Sequence, residues 1–368
     1  MNRLTKSHHV SRLGPILLTL IIVGAVLAVV VWTLDTDALV TALAGSGLAV
    51  VWMSIFRAVP LAMDAAAWGC ILPAPQRLSL TRLVVPRWIG ESINTVLPVG
   101  QVGGDFARAR LMAKILHSKS VGSSEQMTRG HHAPGPLAAA ATLTDFILGL
   151  MTQGVFALVA VAILVIAESS SGPDADVIIG TGAVSLLAVV GVLALWRVLV
   201  GGAFSRVIAI LRRAGPERAM TSLAQHSSQL ESTLLLLSRA QKAVLAAFTI
   251  KLFAWFVRGV EIWIAAHALG IEMAFLAALA IEGVASAARS AAFFIPGAVG
   301  VQEGGLVAAA ALFGVPLEAA LAIALLKRAR EVVVSLPGLI AWAVMERRLA
   351  SLPAQDASTV SAVSKPER

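Results

Sequence analysis

Windows of 20 or more predominantly apolar residues recur along the chain at 15–34, 48–72, 137–167, 177–200, 243–269 and 317–345. A helix of about 20 apolar residues crosses the hydrocarbon core of a bilayer. Each window therefore predicts a membrane span. Two further stretches, 79–116 and 275–314, are almost as apolar but are interrupted by Pro and Gly. Irregular backbone at membrane depth is tolerated only where protein or a water-filled cavity satisfies its polar groups, so these stretches read as re-entrant helical hairpins. The fold class is an all-α polytopic membrane protein with about six full spans plus two re-entrant hairpins, eight membrane segments in all.

Composition agrees: hydrophobic residues make up 58% and charged residues 14%, with a mean hydropathy of +0.84. Lys and Arg gather in alternate connections, before the first span, after residue 108, between 206 and 242, and at Arg347 and Arg348. Those sides face the cytoplasm. The remaining connections, "DTDALVTALAGSG", "ESSSGPDAD", "GIEM" and "GVPLE", hold seven acids and no Lys or Arg. The expected layout is a cytoplasmic N-terminus at 1–14, one integral membrane domain at 15–346 and a Ser/Ala/Pro-rich cytoplasmic tail at 347–368. A basic connector at 201–242, including Arg206, Arg212 and Arg213, reads either as an interfacial segment against the membrane surface or as an ordinary solvated connector. The net charge of +8 suits anionic headgroups rather than nucleic acid.

The hairpins share a spacing. Asp105 follows Pro98 by seven residues and Glu303 follows Pro296 by seven, while Glu91 and Arg289 each precede their Pro by seven. The order span, hairpin, span occurs at about 48–167 and again at about 243–345, entering from opposite faces. Inverted repeats with broken helices hold transporter sites at their interface. The tips, Pro98 to Asp105 and Pro296 to Glu303, are expected to approach near the midplane, with Arg289 and Arg330 in reach of Glu91, Asp105 or Glu303.

Ionisable groups inside a membrane are costly and are paired or face water. Arg57 and Asp64 share a face of the second span, and Lys251, Arg258 and Glu261 share one on the fifth. Arg57 with Asp64, and Arg258 with Glu261, read as structural ion pairs. Asp145, Glu282, Lys327, Arg328 and Glu331 are further intramembrane charges. Glu91, Asp105, Arg108, Arg289, Glu303 and Arg330 flank the broken segments and are the candidates for meeting a headgroup.

Other chemistry is sparse. No GxxxxGK[ST] loop is present, so the chain does not energise itself with ATP. The adjacent His pairs at 8–9 and 131–132 lack the spacing of a helical metal site, and lone His267 reads as hydrogen-bonded packing. The single cysteine, Cys70, excludes an intrachain disulfide. No cofactor or metal is expected, and no enzymatic activity. An aspartyl intramembrane protease is the enzymatic alternative, since "VGGDF" is similar to a Gly-x-Gly-Asp motif. Val102 replaces its first Gly, and no Tyr exists for the partner motif.

"RWIGESINTVLPVGQVGGDFARARLMAK" at the first hairpin, with "FFIPGAVGVQEGGLVAAAALFG" and "LLKRAREVVVSLPGLI" near the end, resembles the membrane region of lysylphosphatidylglycerol synthases and the flippase-like family built on it. The form of the first motif is closest to the hopanoid-biosynthesis-associated branch. The resemblance implies movement of lipid between leaflets. It implies no aminoacylation, because the soluble synthase domain is not among the residues after the last span. It carries roles onto Asn94, Pro98, Gly104, Asp105, Arg108, Pro296, Gly297, Gly300, Glu303 and Arg330. The expected partners are membrane lipids with an anionic or polyol headgroup, and lipid-synthesis enzymes if the protein is instead a non-transporting scaffold. Its expected location is the bacterial inner (plasma) membrane with both termini cytoplasmic; the oligomeric state is left open.

Overall fold

A computed structural model describes residues 47–96, 103–121, 133–169, 190–192, 194, 197, 229–230, 232–292, 295 and 298–350. Among them every regular element is a helix. Helices α1 (Gly47–Phe56) and α2 (Ala58–Ile71) make one 25-residue apolar span interrupted at Arg57. Pro60 explains the interruption: it has no N–H for the Phe56 carbonyl, and its ring crowds that group. Arg57 keeps right-handed helical angles, φ −56° and ψ −25°. The path continues, with the Arg57 N–H bonded to the Met53 carbonyl at 2.9 Å and the Leu61 N–H to the Arg57 carbonyl at 3.2 Å.

A short 3-10 turn, Ala74–Gln76, leads to α3 (Leu80–Val96) and α4 (Gly103–Val121), the arms of the first hairpin, and then to α5 (Pro134–Ser169). The order repeats with α6 (Gln241–Ala268), the hairpin arms α7 (Phe275–Ala291) and α8 (Val301–Leu312), and α9 (Leu317–Ala350). Among the described residues three spans are long and apolar enough to cross a membrane by composition, namely α1 with α2, α5 and α6. Helix α9 has 34 residues, about 50 Å at 1.5 Å per residue, but carries Lys327, Arg328, Arg330 and Glu331 near its middle. The predicted span at 15–34 lies outside the described residues, as do the basic connector's Arg206, Arg212 and Arg213. The span at 177–200 is described only at scattered helical positions.

Apolar packing forms two large clusters and a small third one of Ile89, Ile93 and Leu111 in the first hairpin. One gathers Ala65, Trp68, Leu83, Met112, Leu137 and Leu148 from α2 to α5. The other gathers Met53, Ile262, Ile281, Leu306 and Ile323 from α1 and α6 to α9. The first span thus straddles both, α2 serving the first cluster and α1 the second, with the Arg57 break between. Helix α6 touches α2, α5, α7 and α9 and joins the two halves. Large apolar side chains point outward, among them Trp52, Ile55, Phe253, Leu336 and Ile340. So apolar an outer face suits lipid rather than water. The chain is an all-α, multi-pass membrane protein.

Within the hairpins, small residues allow contact between backbones. A Cβ on Gly104 would overlap the Gly90 carbonyl, and one on Gly90 would lie 2.8 Å from the Gly104 oxygen. The arms α3 and α4 therefore cross at two glycines. Gly104 thus has a structural cause: only glycine permits this crossing. In the second hairpin a Cβ on Gly305 would lie 2.7 Å from the Ala288 methyl. Gly300, with φ +83°, begins α8 in a backbone region that side chains rarely adopt.

Candidate functional site

Both hairpins open onto one cavity of about 270 Å³. From the first hairpin come Arg87, Glu91, Asn94, Asp105 and Arg108; from the second come Glu282, Ser286, Arg289, Ser290 and Gln302. The spans add Arg57, Asp64, Asp145, Lys251, Arg258 and the trio Lys327, Arg330 and Glu331. Eight basic and six acidic side chains line the wall. Exposure is graded: Glu91, Arg289 and Arg87 remain 19–25% accessible, whereas Asp145, Asp64, Lys251 and Arg108 fall to 3% or less. The former make a rim and the latter a floor.

Asp145 on α5 anchors the floor. It accepts Arg87 at 2.9 Å from α3 and Arg108 at 2.6 Å from α4, and it forms an ion pair with Lys251 of α6 at 2.7 Å. Both arms of the first hairpin are thereby held to the span that follows it. Arg108 also meets Asp105 at 2.7 Å and lies 5.0 Å above the Trp68 ring. Asn94 Oδ1 accepts the Gly104 N–H at 2.7 Å, tying the arms together where they cross.

The second hairpin is held to α9 in the same manner. Lys327 meets Glu282, Arg289 meets Glu331 at 3.2 Å, and Arg328 meets both Glu331 at 2.7 Å and Glu303. Glu303 accepts the Gly300 N–H at 2.8 Å and so caps α8. Gln302 accepts from Arg289 at 3.0 Å. From α5, Gln153 donates to the Ser286 carbonyl at 2.8 Å and the Ser290 hydroxyl at 2.5 Å.

Two pairings expected from spacing are corrected. Arg57 pairs with Glu91 and, at 3.5 Å, with Glu261; Arg258 pairs with Asp64. The partners are exchanged between α2 and α6, which pack against one another. Seven helical residues span about 10 Å along the axis, so Arg57 reaches across the interface more directly than along its own helix. Arg258 lies over the Trp255 ring at 4.2 Å and turns to Asp64, while Glu261 is taken by Arg330. That last pair also replaces the expected partners of Arg330, because α9 presents it to α6. Arg289 is held by Gln302 and Glu331 on the adjoining arm and span.

The carboxylates are separated by cations: Arg87 and Lys251 lie between Asp64 and Asp145, and Arg108 between Asp105 and Asp145. A protease dyad needs two carboxylates that share a proton. Here each carboxylate meets Arg or Lys. His267 Nδ1 sits 2.9 Å from the Trp263 carbonyl, one turn back on an exposed face. Among the described residues no cluster of metal-ligand type occurs.

The family model for the lysylphosphatidylglycerol synthase TM region matches residues 16–338. The chain belongs to that family. Neither the curated proteins nor the solved structures compared with it gave a match. The matched region contains both hairpins and every charged side chain of the cavity. Of the residues that the family resemblance singles out, Asn94, Gly104, Asp105 and Arg108 cluster at the first hairpin; Gly300 and Glu303 shape the start of α8. Arg330 joins the cavity from α9. Pro98, Pro296 and Gly297 lie outside the described residues, so the hairpin arms, not their tips, are seen to share the cavity. Arg87, Gln153 and Gln302 escaped the sequence reading. For Arg87 a signal existed: with Glu91 and Asn94 it stands at i, i+4 and i+7, one face of α3.

Proposed function

We propose that this protein moves a polar-headed lipid between the leaflets of a bacterial inner membrane, without catalysing a covalent reaction. The headgroup enters the charged cavity between the hairpins, and the apolar tail stays in lipid. One observation carries the reading: two broken helical segments, distant in sequence, place charged side chains around one cavity among apolar spans. A volume of about 270 Å³ is at the small end of ligand pockets. It suits a headgroup and excludes the tail. On the family resemblance, hopanoid lipids are first among the substrates to try.

In this reading Glu91, Arg289 and Arg87 at the rim meet the headgroup first, and Arg108 and Arg330 hold it deeper. Asn94, Gly104, Gly300 and Glu303 keep the hairpins in shape. The repeats run in opposite directions through the membrane, with both termini cytoplasmic. Reconstitution into liposomes with labelled lipids tests this directly. Faster crossing than in empty vesicles, with a shifted leaflet distribution of hopanoids in cells lacking the protein, is the expected result. Crossing no faster than in empty vesicles for any polar-headed lipid would defeat the reading.

A further inference from the structure

Each span that follows a hairpin touches both hairpins. Helix α5 packs on α4 of the first and α7 of the second, while α9 packs on α8 of the second and α3 of the first. The two spans brace the hairpins against each other, but they are not built alike. Helix α5 runs from Pro134 to Ser169 with no Pro beyond its first turn, whereas α9 has Pro337 in its interior. Pro337 has no N–H for the Val333 carbonyl, and its ring crowds that group. A long helix bends most readily at such a turn.

What holds α9 changes at that turn. Before it, the helix is tied to the second hairpin and to α6: Lys327 meets Glu282, Glu331 meets Arg289 at 3.2 Å, and Arg330 meets Glu261. After it, the helix is tied to the first hairpin. Leu339, Trp342 and Met345 pack on Ile89, Ile93 and Leu111, and Glu346 pairs with Arg110 at 3.3 Å. The α9 side chains that line the cavity, Lys327, Arg330 and Glu331, all precede Pro337.

At the turn itself α9 and α3 are in contact. A Cβ on Gly338 would overlap Ser92 and lie 3.2 Å from the Trp88 indole nitrogen. The Trp88 N–H donates to the Val334 carbonyl at 2.8 Å, beside the carbonyl that Pro337 deprives of its helical donor. Val333 and Pro337 are exposed on the outer face, where lipid offers no hydrogen bond. Backbone groups loosened by Pro in a membrane are satisfied by neighbouring helices. Trp88 supplies such a partner and thereby favours one setting of the turn.

We infer that α9 is a hinged brace: it bends at Pro337, the Trp88 to Val334 bond latches one of two settings, and the bend changes the separation of the hairpins across the cavity mouth. Uninterrupted α5 is the pivot. Its Gln153 donates to the Ser286 carbonyl and the Ser290 hydroxyl, and a Cβ on Gly283 of α7 would lie 2.3 Å from the Ala160 methyl. Arg87 and Arg108 tie the first hairpin to Asp145 on the same helix. The floor therefore stays together while the rim moves, because Arg87 and Glu91 sit on the arm beyond the hinge and Arg289 on the hairpin before it. The inference rests on the shared cavity and not on what enters it.

The test uses the full chain with Cys70→Ser, in nanodiscs of zwitterionic lipid with no ligand added, and measures distances between paired spin labels by pulsed electron resonance. Labels at Leu317 and Val344, both exposed, report α9 and would stand about 40 Å apart on a straight helix. Exposed Phe106 of α4 and Leu276 of α7 report the hairpins, and Gly135 with Ile166 reports α5. Wild type and, more strongly, W88F are expected to show two separations for the first two pairs and one for α5. P337A should leave one separation for every pair. W88F removes the donor and keeps a ring, so it should shift weight away from the latched setting about two- to tenfold, as loss of one hydrogen bond implies. Melting curves establish that both variants are folded. A single α9 separation in both wild type and W88F, or two that persist in P337A, would overturn the hinge. Two α9 separations beside an unchanged hairpin pair would overturn its coupling to the cavity. An unchanged ratio in W88F would overturn the latch, and two separations on α5 would overturn the pivot. No lipid substrate takes part, so failure to move lipid in liposomes leaves the hinge standing, and a rigid α9 leaves transport standing.

Discussion

Asp145 is fully buried and receives three cations from three different helices, at 2.6–2.9 Å, whereas Asp105 is 17% exposed and meets Arg108 alone among the pairs of the floor. Removing one member of a buried ionic group leaves its partners unpaired and costs about 3–5 kcal/mol. D145N should therefore lower thermal stability in detergent far more than D105N. A comparable loss in the two variants would mean that Asp145 does not anchor the hairpin. Glycines give a second comparison at this scale. A side chain on Gly104 would strike the Gly90 backbone, which cannot rotate away, and one on Gly338 would come within 3.2 Å of the Trp88 indole nitrogen and overlap the Ser92 side chain. Overpacking of tightly packed sites costs about 1–3 kcal/mol. G104A and G338V should both destabilise, G104A at the upper end or beyond, while alanine at Gly304, with nothing within 4 Å of its Cβ, should melt like the parent. Equal melting of G104A and the Gly304 variant would refute the backbone crossing.

Each hairpin, as an element, is fastened to the span that follows it, and in the second the isolated pair of Glu282 on α7 with Lys327 on α9 does part of this. Both side chains are 6% exposed, so E282K or K327E alone would bury two like charges and should abolish folded protein in membranes. The double exchange E282K with K327E restores the attraction and should recover most of the yield. If it recovers none, direct pairing is not what these residues contribute. The hairpins themselves were legible in the sequence, because Pro and Gly interrupt apolar stretches and the acids recur at fixed distance from Pro. Their function as walls of one cavity also followed from the repeat. Partner choice did not follow. Spacing along one helix put Arg57 with Asp64, but which base meets which acid depends on how α2 and α6 pack, and no pattern within either helix records that. Arg87 was overlooked for a related reason: it follows Pro86 inside an arm, and its two partners lie on α2 and α5.

For the whole molecule, the proposed inverted repeat of span, hairpin and span would put the connection after α4 and the connection after α6 on opposite sides of the membrane. His117 near the end of α4 and Glu272 between α6 and α7 are both exposed, and they belong to the basic and acidic sets of connections respectively. Cys70 is the chain's single cysteine, so a Cys70→Ser background is free of thiols. In that background H117C is expected to react with a membrane-impermeant maleimide only from the cytoplasmic face of oriented vesicles, and E272C only from the other. The labelling pattern does not depend on which lipid is carried. It depends on α5, the return connection and α6 together crossing the membrane an odd number of times, as the spans at 137–167, 177–200 and 243–269 require. Labelling of both positions from one side would remove the inverted repeat, and with it the reason for two hairpins to meet in one cavity from opposite faces. Labelling from opposite sides would leave alternating access around the charged floor as the motion to look for.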